Sequence, residues 1–374
     1  MHRKNNSMQS TLFFPLNFRM RVVVLLLLLL RLAAAWAVEH NVTINTSHPV
    51  FVTSSKFLSW TMDAGETARW GRERTDFWTN ATVRALAKRL GPSFFRYGGT
   101  SQDFTSYNFS GNYFPANQVD PTRPVVIMND TVFDGLVDFV KAVNWDLIFG
   151  ANLGTYRTAE GAWDPSAFQS LLEYAVSEKG YELAGWELGN EPDLFYKHNI
   201  TITPARAMVD FQKFRQSLES FSAKGKVLGP DTALSPEHYL TSFLNNATAA
   251  AGDPGPLDIA TYHFYYGPGS SRPHGLTWPE FHSPEVLDRF LTAATTTLDA
   301  SKSWQNGSKS RALWVGETSS TYGGGTSNAS ASFVAGFMWL DKLALAARLR
   351  HSVVCRQVFG HAKYAAVGYD NVVR

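Results

Sequence analysis

The sequence predicts a (β/α)8 barrel, the TIM-barrel class of α/β folds. After residue 40, eight strand-like runs alternate with helical patterns along the chain. Two of these runs have a glutamate at or next to their last residue, Glu191 and Glu317, and a barrel gathers the carboxyl ends of its strands at one face. A doubly wound sheet is the alternative. A doubly wound sheet would have fewer strands and usually a glycine-rich phosphate-binding turn after the first strand. The sequence has eight strand-like runs and no such turn.

The predicted elements follow one another at regular spacing. The strands are residues 58–63, 93–99, 146–152, 183–191, 226–231, 258–266, 311–318 and 352–360. The helical patterns are residues 80–90, 130–143, 164–178, 203–220, 284–300 and 330–350. Asp164 and Thr203 each precede a proline, which is the pattern of an N-cap residue before the first helical position. No helical pattern follows the eighth strand, so we expect a barrel that lacks its last helix.

The N-terminal 57 residues divide into two predicted segments. Arg19 and Arg21 precede the apolar run 22–30, and Ala35-Trp36-Ala37 is a small-x-small cleavage pattern. Residues 1–37 are therefore predicted to be a secretory signal peptide, with an uncleaved membrane anchor as the alternative. Residues 38–57 are predicted to be a β-element, because residues 40–51 alternate like a strand. Residues 58–374 are assigned to the catalytic barrel, incomplete at its C-terminus.

Composition indicates a globular, secreted protein. The chain is 44% hydrophobic and 14% aromatic, which is enough to bury a full core. Residues 1–37 hold five basic residues and no acidic one, so the remainder has 29 basic and 32 acidic residues, a net charge of −3. With this net charge the protein has no overall positive field that would attract nucleic acid or other polyanions. A local basic groove is still compatible with the sequence. Cys355 is the single cysteine, so no disulfide is expected within the chain, and we expect it to be buried and inert.

Nine N-glycosylation sequons follow the predicted signal peptide and fit a secretory route. Their asparagines are Asn41, Asn45, Asn80, Asn108, Asn129, Asn199, Asn246, Asn306 and Asn328.

Two glutamates at strand ends predict glycoside hydrolysis. One carboxylic acid must protonate the leaving oxygen, and the other must attack the anomeric carbon or activate water. Glu191 follows Asn190 in the segment WELGNEP, and we assign it as the general acid. Glu317, in GETSSTYGGG, is assigned as the nucleophile, with Tyr322 expected to hydrogen-bond it. The alternatives are a helix N-terminal charge for Glu191 and a buried salt bridge with an arginine for Glu317.

Further residues are expected near the pair. His263 and Tyr265 lie two apart on one strand and so face one side, although core packing is an alternative for Tyr265. The glycines after Tyr322 form either a flexible loop or a set of backbone N–H groups for a sugar carboxylate. No metal site is expected, because the histidines His263, His274 and His282 lack ligand spacing and nearby acids. The absence of dinucleotide and P-loop fingerprints predicts no cofactor.

Five segments resemble one known family. They are WELGNEP at residues 186–192, LWVGETSSTYGGG at 313–325, GFMWLDKL at 336–343, RQVFG at 356–360 and FFRYGGTSQDF at 94–104. Together they resemble glycoside hydrolase family 79, the heparanase family, over about residues 51–370. The resemblance implies a (β/α)8 barrel with an attached β-sandwich, and retaining cleavage of internal β-glucuronidic bonds in heparan sulfate.

The resemblance also implies roles for individual residues. Glu191 matches the family's acid/base and Glu317 its nucleophile. Other matching positions lie around the pair or line the substrate cleft: Asp63, Thr100, Asn190, His263, Tyr265, Tyr322, Gly323, Gly324 and Gln357.

Three departures from the family pattern set further expectations. The sandwich and the final barrel helix are missing, so residues 38–57 are expected to be a remnant of that sandwich in an incomplete chain. Residues 105–129 are short where vertebrate members carry an excised linker, so we expect no proteolytic activation. The loop 231–238 lacks a basic cluster, which leaves Arg272 to keep one basic contact.

These observations predict a retaining endo-β-glucuronidase that acts on heparan sulfate or a related glycosaminoglycan or proteoglycan. A secreted, matrix or lysosomal monomer is expected, with no nucleic-acid partner, no membrane span after signal cleavage, and no metal or other cofactor. The alternatives are an exo-acting glucuronidase of the same family and a non-catalytic glycosaminoglycan-binding paralogue or fragment.

Overall fold

The computed structural model describes residues 43, 45–68, 75–117, 120, 126–233, 236–250, 255–306, 311–360 and 364–368. The chain divides into two units, Met1–Pro49 and Val50–Arg374. The predicted signal peptide lies outside the described residues. Residues 43 and 45–57, the described part of the predicted β-element, form no helix or strand. A strand needs a partner for its backbone hydrogen bonds, so a β-element in this segment stays a prediction.

Eight parallel strands close into a barrel, which confirms the predicted fold class. The strands are β1 (Leu58–Asp63), β2 (Phe94–Gly98), β3 (Asp146–Ala151), β4 (Gly185–Leu188), β5 (Lys226–Thr232), β6 (Ile259–Phe264), β7 (Ala312–Thr318) and β8 (Val353–Gln357). Each strand pairs with its neighbours in sequence, and β8 pairs with β1 to close the ring, with Arg356 opposite Trp60.

Helices connect consecutive barrel strands. The longer ones are α1 (Ala81–Arg89), α2 (Asp130–Val143), α3 (Ser166–Leu172), α4 (Pro204–Ser220), α5 (Pro236–Ala250), α6 (Pro284–Asn306) and α7 (Val334–Arg348), and two short helices, Gly65–Ala68 and Thr75–Thr79, precede α1. A π-helical turn, Glu173–Glu178, continues α3. Thr203 caps α4 as predicted, because its side chain accepts a hydrogen bond from the backbone N–H of Arg206. None of the helices in the described ranges is both long and apolar enough to cross a membrane.

Sequence analysis did not identify α5. Its buried positions Leu240, Phe243 and Leu244 recur at helical spacing and were an available signal. After β8, the described residues 358–360 and 364–368 form no helix.

The connection after β2 carries a small extra sheet that sequence analysis also missed. It follows a 3-10 helix, Thr100–Phe104, and has three strands, Thr105–Phe109, Asn112–Phe114 and Val126–Asn129. The first of these strands lies in the middle, antiparallel to the second and parallel to the third. Phe109 packs from this sheet against Phe133 of α2. The sheet therefore fixes the 3-10 helix above the barrel.

The interior of the barrel changes from apolar to charged along the strands. Its lower layer is a separate buried cluster made of Ile148, Leu228, Ile259, Trp314, Val353 and Cys355. Side chains two positions apart on a strand face the same side. Arg96 follows Phe94 by two positions, and Phe94 packs against this cluster. The charged layer consequently lies at the carboxyl ends of the strands, where barrel active sites are found.

Two β-bulges aim acidic side chains at this layer. The register between β5 and β6 shifts between Pro230 and Thr232, and the register between β6 and β7 shifts between Val315 and Glu317. A bulge inserts one residue into a strand and redirects the side chains beside it. Asp231 and Glu317 lie at these shifts, and both are buried.

The aromatic core between the barrel and its helices generates a stability prediction. Phe95 is fully buried, and its ring lies 5.6–5.9 Å from the rings of Phe139, Trp145 and Phe359. We expect Phe95→Ala to lower the free energy of unfolding by about 3–5 kcal/mol, because it removes buried area and leaves a cavity. Urea denaturation followed by circular dichroism measures the change.

The matched control is Phe333→Ala, since Phe333 is 86% exposed. This substitution should change the free energy of unfolding by no more than about 0.5 kcal/mol. Equal losses in the two variants would contradict the assignment of Phe95 to the core.

Candidate active site

The polar layer at the top of the barrel is organised around Arg96, which is buried on β2. Its Nε donates to Glu187 Oε2 at 2.6 Å, and its Nη1 donates to Glu317 Oε2 at 2.9 Å. Its Nη2 donates to Asn190 Oδ1 at 3.0 Å and to Asp231 Oδ2 at 3.3 Å. The planar guanidinium has a fixed fork of donors, so it sets the relative positions of groups from β4, β5 and β7.

The acids around Arg96 keep it charged. Burial alone would lower its pKa, but Glu187, Asp231 and Glu317 raise that pKa well above the usual value. Burial raises the pKa of Glu187 to about 8, although Arg96 opposes this change. Burial also raises the pKa of Asp231, but Arg96 and His263 lower it by more. The pKa of Asp231 therefore lies below its usual range. The cluster therefore combines an anionic Asp231 with a Glu187 that holds its proton more readily.

Glu317 is held by two donors at the end of β7. Arg96 binds its Oε2, and the hydroxyl of Tyr265 donates to its Oε1 at 2.6 Å. The side chain is only 10% exposed. The expectation that Tyr322 makes this bond is wrong, because Tyr265 makes it. Tyr322 is half-exposed, and its ring packs edge-on against Tyr265 at 6.3 Å. The buried salt bridge with an arginine, which was the alternative interpretation of Glu317, is present and is made with Arg96.

Glu191 follows β4 in a left-handed backbone conformation, with φ 56° and ψ 54°. This conformation costs a residue other than glycine about 1–2 kcal/mol. The backbone is held there because its N–H donates to the carbonyl of Asp231 at 3.0 Å. The Glu191 side chain, 19% exposed, accepts from His263 Nδ1 at 2.9 Å. The strain thus directs the carboxylate toward the centre of the barrel mouth.

The two predicted catalytic carboxylates meet across this mouth. One carboxylate oxygen of Glu191, one of Glu317 and one ring nitrogen of His263 all lie within 4.8 Å of one another. The strand ends that carry these residues are thus close enough for both glutamates to contact a single sugar unit.

His263 is buried between the two sides of the cluster. Its Nε2 lies 3.3 Å from Asp231 Oδ1, a charge contact without the alignment of a hydrogen bond. Burial alone would lower the pKa of His263, but Glu317, Asp231 and Glu191 raise it to about 10. The ring is therefore an imidazolium at neutral pH. The expectation that His263 lacks nearby acids is wrong, because the fold brings acids to it that are distant in sequence.

The group Glu191, His263 and Glu317 has the proximity that a metal ion requires. A protonated imidazole has no free lone pair for a metal, since both of its nitrogens are donors. An ion at this place would have to displace the proton that the neighbouring acids stabilise on His263.

Asp103, which sequence analysis did not single out, supports the loop that carries Asn190 and Glu191. It lies buried in the 3-10 helix, and its Oδ2 accepts from the backbone N–H of Asn190 at 2.8 Å. Its Oδ1 accepts from the N–H groups of Leu153 and Gly154 at 2.8 and 3.0 Å. This carboxylate joins the loops after β3 and β4. Asn190 is therefore held by its backbone and by its side-chain oxygen, which Arg96 binds.

Asp63 and Thr100 lie together above β1 and β2. The carboxylate of Asp63 accepts from the N–H of Gly65 at 2.8 Å and from that of Ser101 at 3.2 Å. Gly99, next to Thr100, has φ 80°, and a Cβ there would lie 2.5 Å from Asp63 Oδ2. Both predicted cleft residues therefore belong to one tightly packed rim of the barrel.

The remaining predicted residues lie in the loops after β6 and β7 and at the end of β8, where Gln357 pairs with Thr61 of β1. Gly323 and Gly324 have φ values of 74° and 92°. A Cβ on Gly323 would lie 3.1 Å from Arg272 Nε, so the side chain of Arg272 lies beside this glycine. Gln357 ends β8, and its Oε1 is buried without a hydrogen bond from the described residues. The two loops therefore combine exposed backbone with one cation.

Comparison with known proteins is consistent with this geometry. The family model for the N-terminal domain of glycosyl hydrolase family 79 matches residues 39–344. Mouse heparanase is 34% identical over 356 residues, which cover 84% of this chain and 64% of the mouse protein. The hyaluronoglucuronidase of Hirudo nipponia is 28% identical over 87% of this chain and 68% of its own length. The chain spans less than two thirds of the length of the mouse and rat heparanases.

Solved structures share the fold. A 4-O-α-L-rhamnosyl-β-D-glucuronidase from Fusarium oxysporum matches 85% of this chain and 66% of its own, with a TM-score of 0.59 and 17% identity. The GH51 arabinofuranosidase of Xanthomonas axonopodis pv. citri matches 85% of this chain and 69% of its own, with a TM-score of 0.57 and 13% identity. Because the family model covers most of the sequence, the chain belongs to glycosyl hydrolase family 79.

Proposed function

We propose that this chain carries the active site of a retaining β-glucuronidase, with Glu317 as nucleophile and Glu191 as acid/base. The observation that carries the proposal is the approach of their carboxylate oxygens to within 4.8 Å. Retaining pairs stand about 5–5.5 Å apart, whereas inverting pairs need roughly 6.5–9.5 Å to admit a water molecule between acid and sugar. The short approach supports direct attack by one carboxylate.

The surroundings of the two glutamates support this division of roles. Arg96 and Tyr265 donate to the two oxygens of Glu317, fix its orientation and balance its negative charge. Among the described residues, Glu191 has His263 as its one side-chain partner, and its side chain is more exposed than that of Glu317. A residue that exchanges protons with a leaving group and then with water needs this greater access.

The reaction has two steps in this proposal. Glu317 attacks the anomeric carbon while Glu191 gives its proton to the departing glycosidic oxygen, and a covalent glycosyl–Glu317 ester forms. Glu191 then takes a proton from water, whose oxygen attacks the anomeric carbon and releases the Glu317 carboxylate.

We propose a β-glucuronide in a glycosaminoglycan, cleaved at internal bonds of heparan sulfate or a related chain, as the substrate. Similarity to the heparanases and to the leech hyaluronoglucuronidase supports the glucuronide and the polymer. Arg272, beside Gly323, supplies a cation suited to a sugar carboxylate. The exposed backbone of Gly323 and Gly324 supplies N–H groups suited to the same carboxylate. Secretion to the matrix or delivery to lysosomes, as a monomer, belongs to the same proposal and rests on the predicted signal peptide.

Two relatives define the competing outcomes. The baicalin-β-D-glucuronidase of Scutellaria baicalensis, 25% identical, represents action on a small glucuronide. The human protein named inactive heparanase-2, 23% identical, represents a non-catalytic member. The paired carboxylates of Glu191 and Glu317 favour an active enzyme over the second outcome.

A substrate comparison tests the endo-glucuronidase proposal. We expect the full chain to shorten heparan sulfate, seen by size-exclusion chromatography, and to give products whose new reducing ends first appear as the β-anomer by NMR. Hydrolysis of an aryl glucuronide without shortening of heparan sulfate or hyaluronan would instead establish exo action. Binding to heparan sulfate without turnover of any of these substrates would overturn the enzymatic proposal.

Substitution of each glutamate tests the assigned roles. We expect Glu317→Gln to lower kcat on the order of 10⁴-fold or more, because no glycosyl-enzyme can form. Glu191→Ala should slow cleavage of glycan bonds about 10²–10⁴-fold. It should slow the release of a nitrophenol, which needs little protonation, far less. Added azide should restore turnover of Glu191→Ala and give the β-glycosyl azide.

The charge-matched control is Glu219→Gln, because Glu219 is an exposed residue of α4. It should keep wild-type kcat. Full activity in Glu317→Gln or in Glu191→Ala would refute the role assigned to that residue.

The charge of His263 makes stability depend on pH. Its folded pKa of about 10 exceeds the unfolded value of about 6.5. The stabilisation is thus complete below about pH 6.5 and is lost as the pH rises through about 10. We expect the free energy of unfolding to fall over this range by up to about 1.4 kcal/mol per pH unit, measured by urea denaturation, and His263→Gln to flatten this slope.

His351→Gln is the matched control, since burial lowers the pKa of His351 to about 4 and the ring is neutral across this range. That variant should keep the wild-type slope. A wild-type slope in His263→Gln would show that His263 does not carry the charge assigned to it.

A further inference from the structure

A small cavity behind the end of β7 is lined by two cations, of which Lys342 is buried and Arg356 is half-buried. Lys342 of α7 and Arg356 of β8 both border it, together with Ser319, Ser320 and Trp339. Its volume of about 10 Å³ accommodates one water-sized group. The cavity therefore has the size of a monatomic ion and the charge of an anion site.

Lys342 is fixed by hydrogen bonds that leave its charge unbalanced. The residue is buried, and its Nζ donates to Thr318 Oγ1 and to the carbonyl of Ser319, each at 2.6 Å. The ammonium also lies 4.6 Å from the ring centroid of Tyr266 and 5.2 Å from that of Phe264. These contacts satisfy donors and polarise rings, but they add no negative charge.

Arg356 lies on the other side of the cavity in a similar setting. Its guanidinium carbon is 5.0 Å from the ring centroid of Trp339 and 5.8 Å from that of Trp60. Its Nε is buried and has no hydrogen-bond partner among the described residues. One donor of this cation is consequently free for a ligand.

The described residues provide no counter-ion for this pair. No carboxylate in the described ranges lies within 4 Å of the charged nitrogens of Lys342 or Arg356. Burial and the charge of Arg356 lower the pKa of Lys342 well below its usual value, while Asp341 raises it. A buried positive charge beside a second, half-buried one is costly unless an anion balances them or the lysine gives up its proton.

We propose that this cavity binds a single halide ion, with chloride as the physiological ligand, between Lys342 and Arg356. A volume of about 10 Å³ fits one such ion better than sulfate, phosphate or a sugar carboxylate, each of which has several heavy atoms. The third N–H of the Lys342 ammonium and the Nε–H of Arg356 are the donors for the ion. The hydroxyl of Ser319 is within the same lining.

The ion would support the predicted nucleophile from behind. Lys342 binds Thr318 and Ser319, which directly follow Glu317. Thr318 in turn donates to the carbonyl of Phe264 and so ties the end of β7 to β6. A halide that keeps Lys342 charged and in place therefore stabilises the backbone that carries Glu317. Only this last step rests on the proposed glucuronidase function.

Melting in different salts tests the site directly. We expect Tm of the full chain to rise by a few degrees, in a saturable manner, in sodium chloride or bromide relative to sodium gluconate at equal ionic strength. Lys342→Met, which keeps the stem and removes the charge, should abolish the difference. Lys302→Met is the control because Lys302 is an exposed residue of α6, and it should keep the halide response.

Crystals grown in bromide provide a second measurement that needs neither variant nor activity. An anomalous peak between Lys342 and Arg356 is expected. No bromide peak, together with equal Tm in chloride and gluconate, would overturn the proposal and identify a water site beside a neutral lysine. If heparan sulfate is not cleaved but the peak and the Tm shift are present, the halide site stands and the glucuronidase proposal fails.

Discussion

The guanidinium of Arg96 is the interaction on which the rest of this site depends. It joins groups from three other strands at distances of 2.6–3.3 Å, and each of those groups is buried. Removing one partner of a buried ion pair typically costs about 3–5 kcal/mol, because the remaining charge has lost its solvent and its counter-ion. Closure of the barrel and assembly of the site are thus the same event, since only a closed barrel brings these acids to one cation.

Most of the fold could be predicted from local patterns. The eight strands are short apolar runs, and their alternation with helices is a repeating signal that survives errors at individual boundaries. The three-stranded sheet after β2 could not be predicted in this way, because its strands are short and it depends on packing against α2 and α3. The bulges in β5 and β7 are also invisible in sequence, since register is decided by the neighbouring strands.

The site was predictable only where chemistry and a strand end coincide in sequence. Glu191 and Glu317 carry that signal, and the fold brings them together as expected. Arg96 and Glu187 do not carry that signal. A charged residue inside an apolar run must have a partner in the folded protein, but the sequence does not show which residue the partner is. Tyr265 and Tyr322 both carry a phenolic hydroxyl, so sequence alone does not tell which of them binds Glu317. In the structure Tyr265 donates this hydrogen bond. The charge of His263 likewise depends on acids that are distant along the chain.

The two register shifts have a consequence for how this barrel can change in evolution. Side chains alternate between the inside and the outside of the wall, so the loss of a single residue from β5 or β7 would turn Asp231 or Glu317 outward toward the helices. Exchanging a neighbouring side chain alters packing but keeps that orientation. Substitutions can therefore accumulate along these strands over long divergence, whereas one-residue deletions within them would be eliminated.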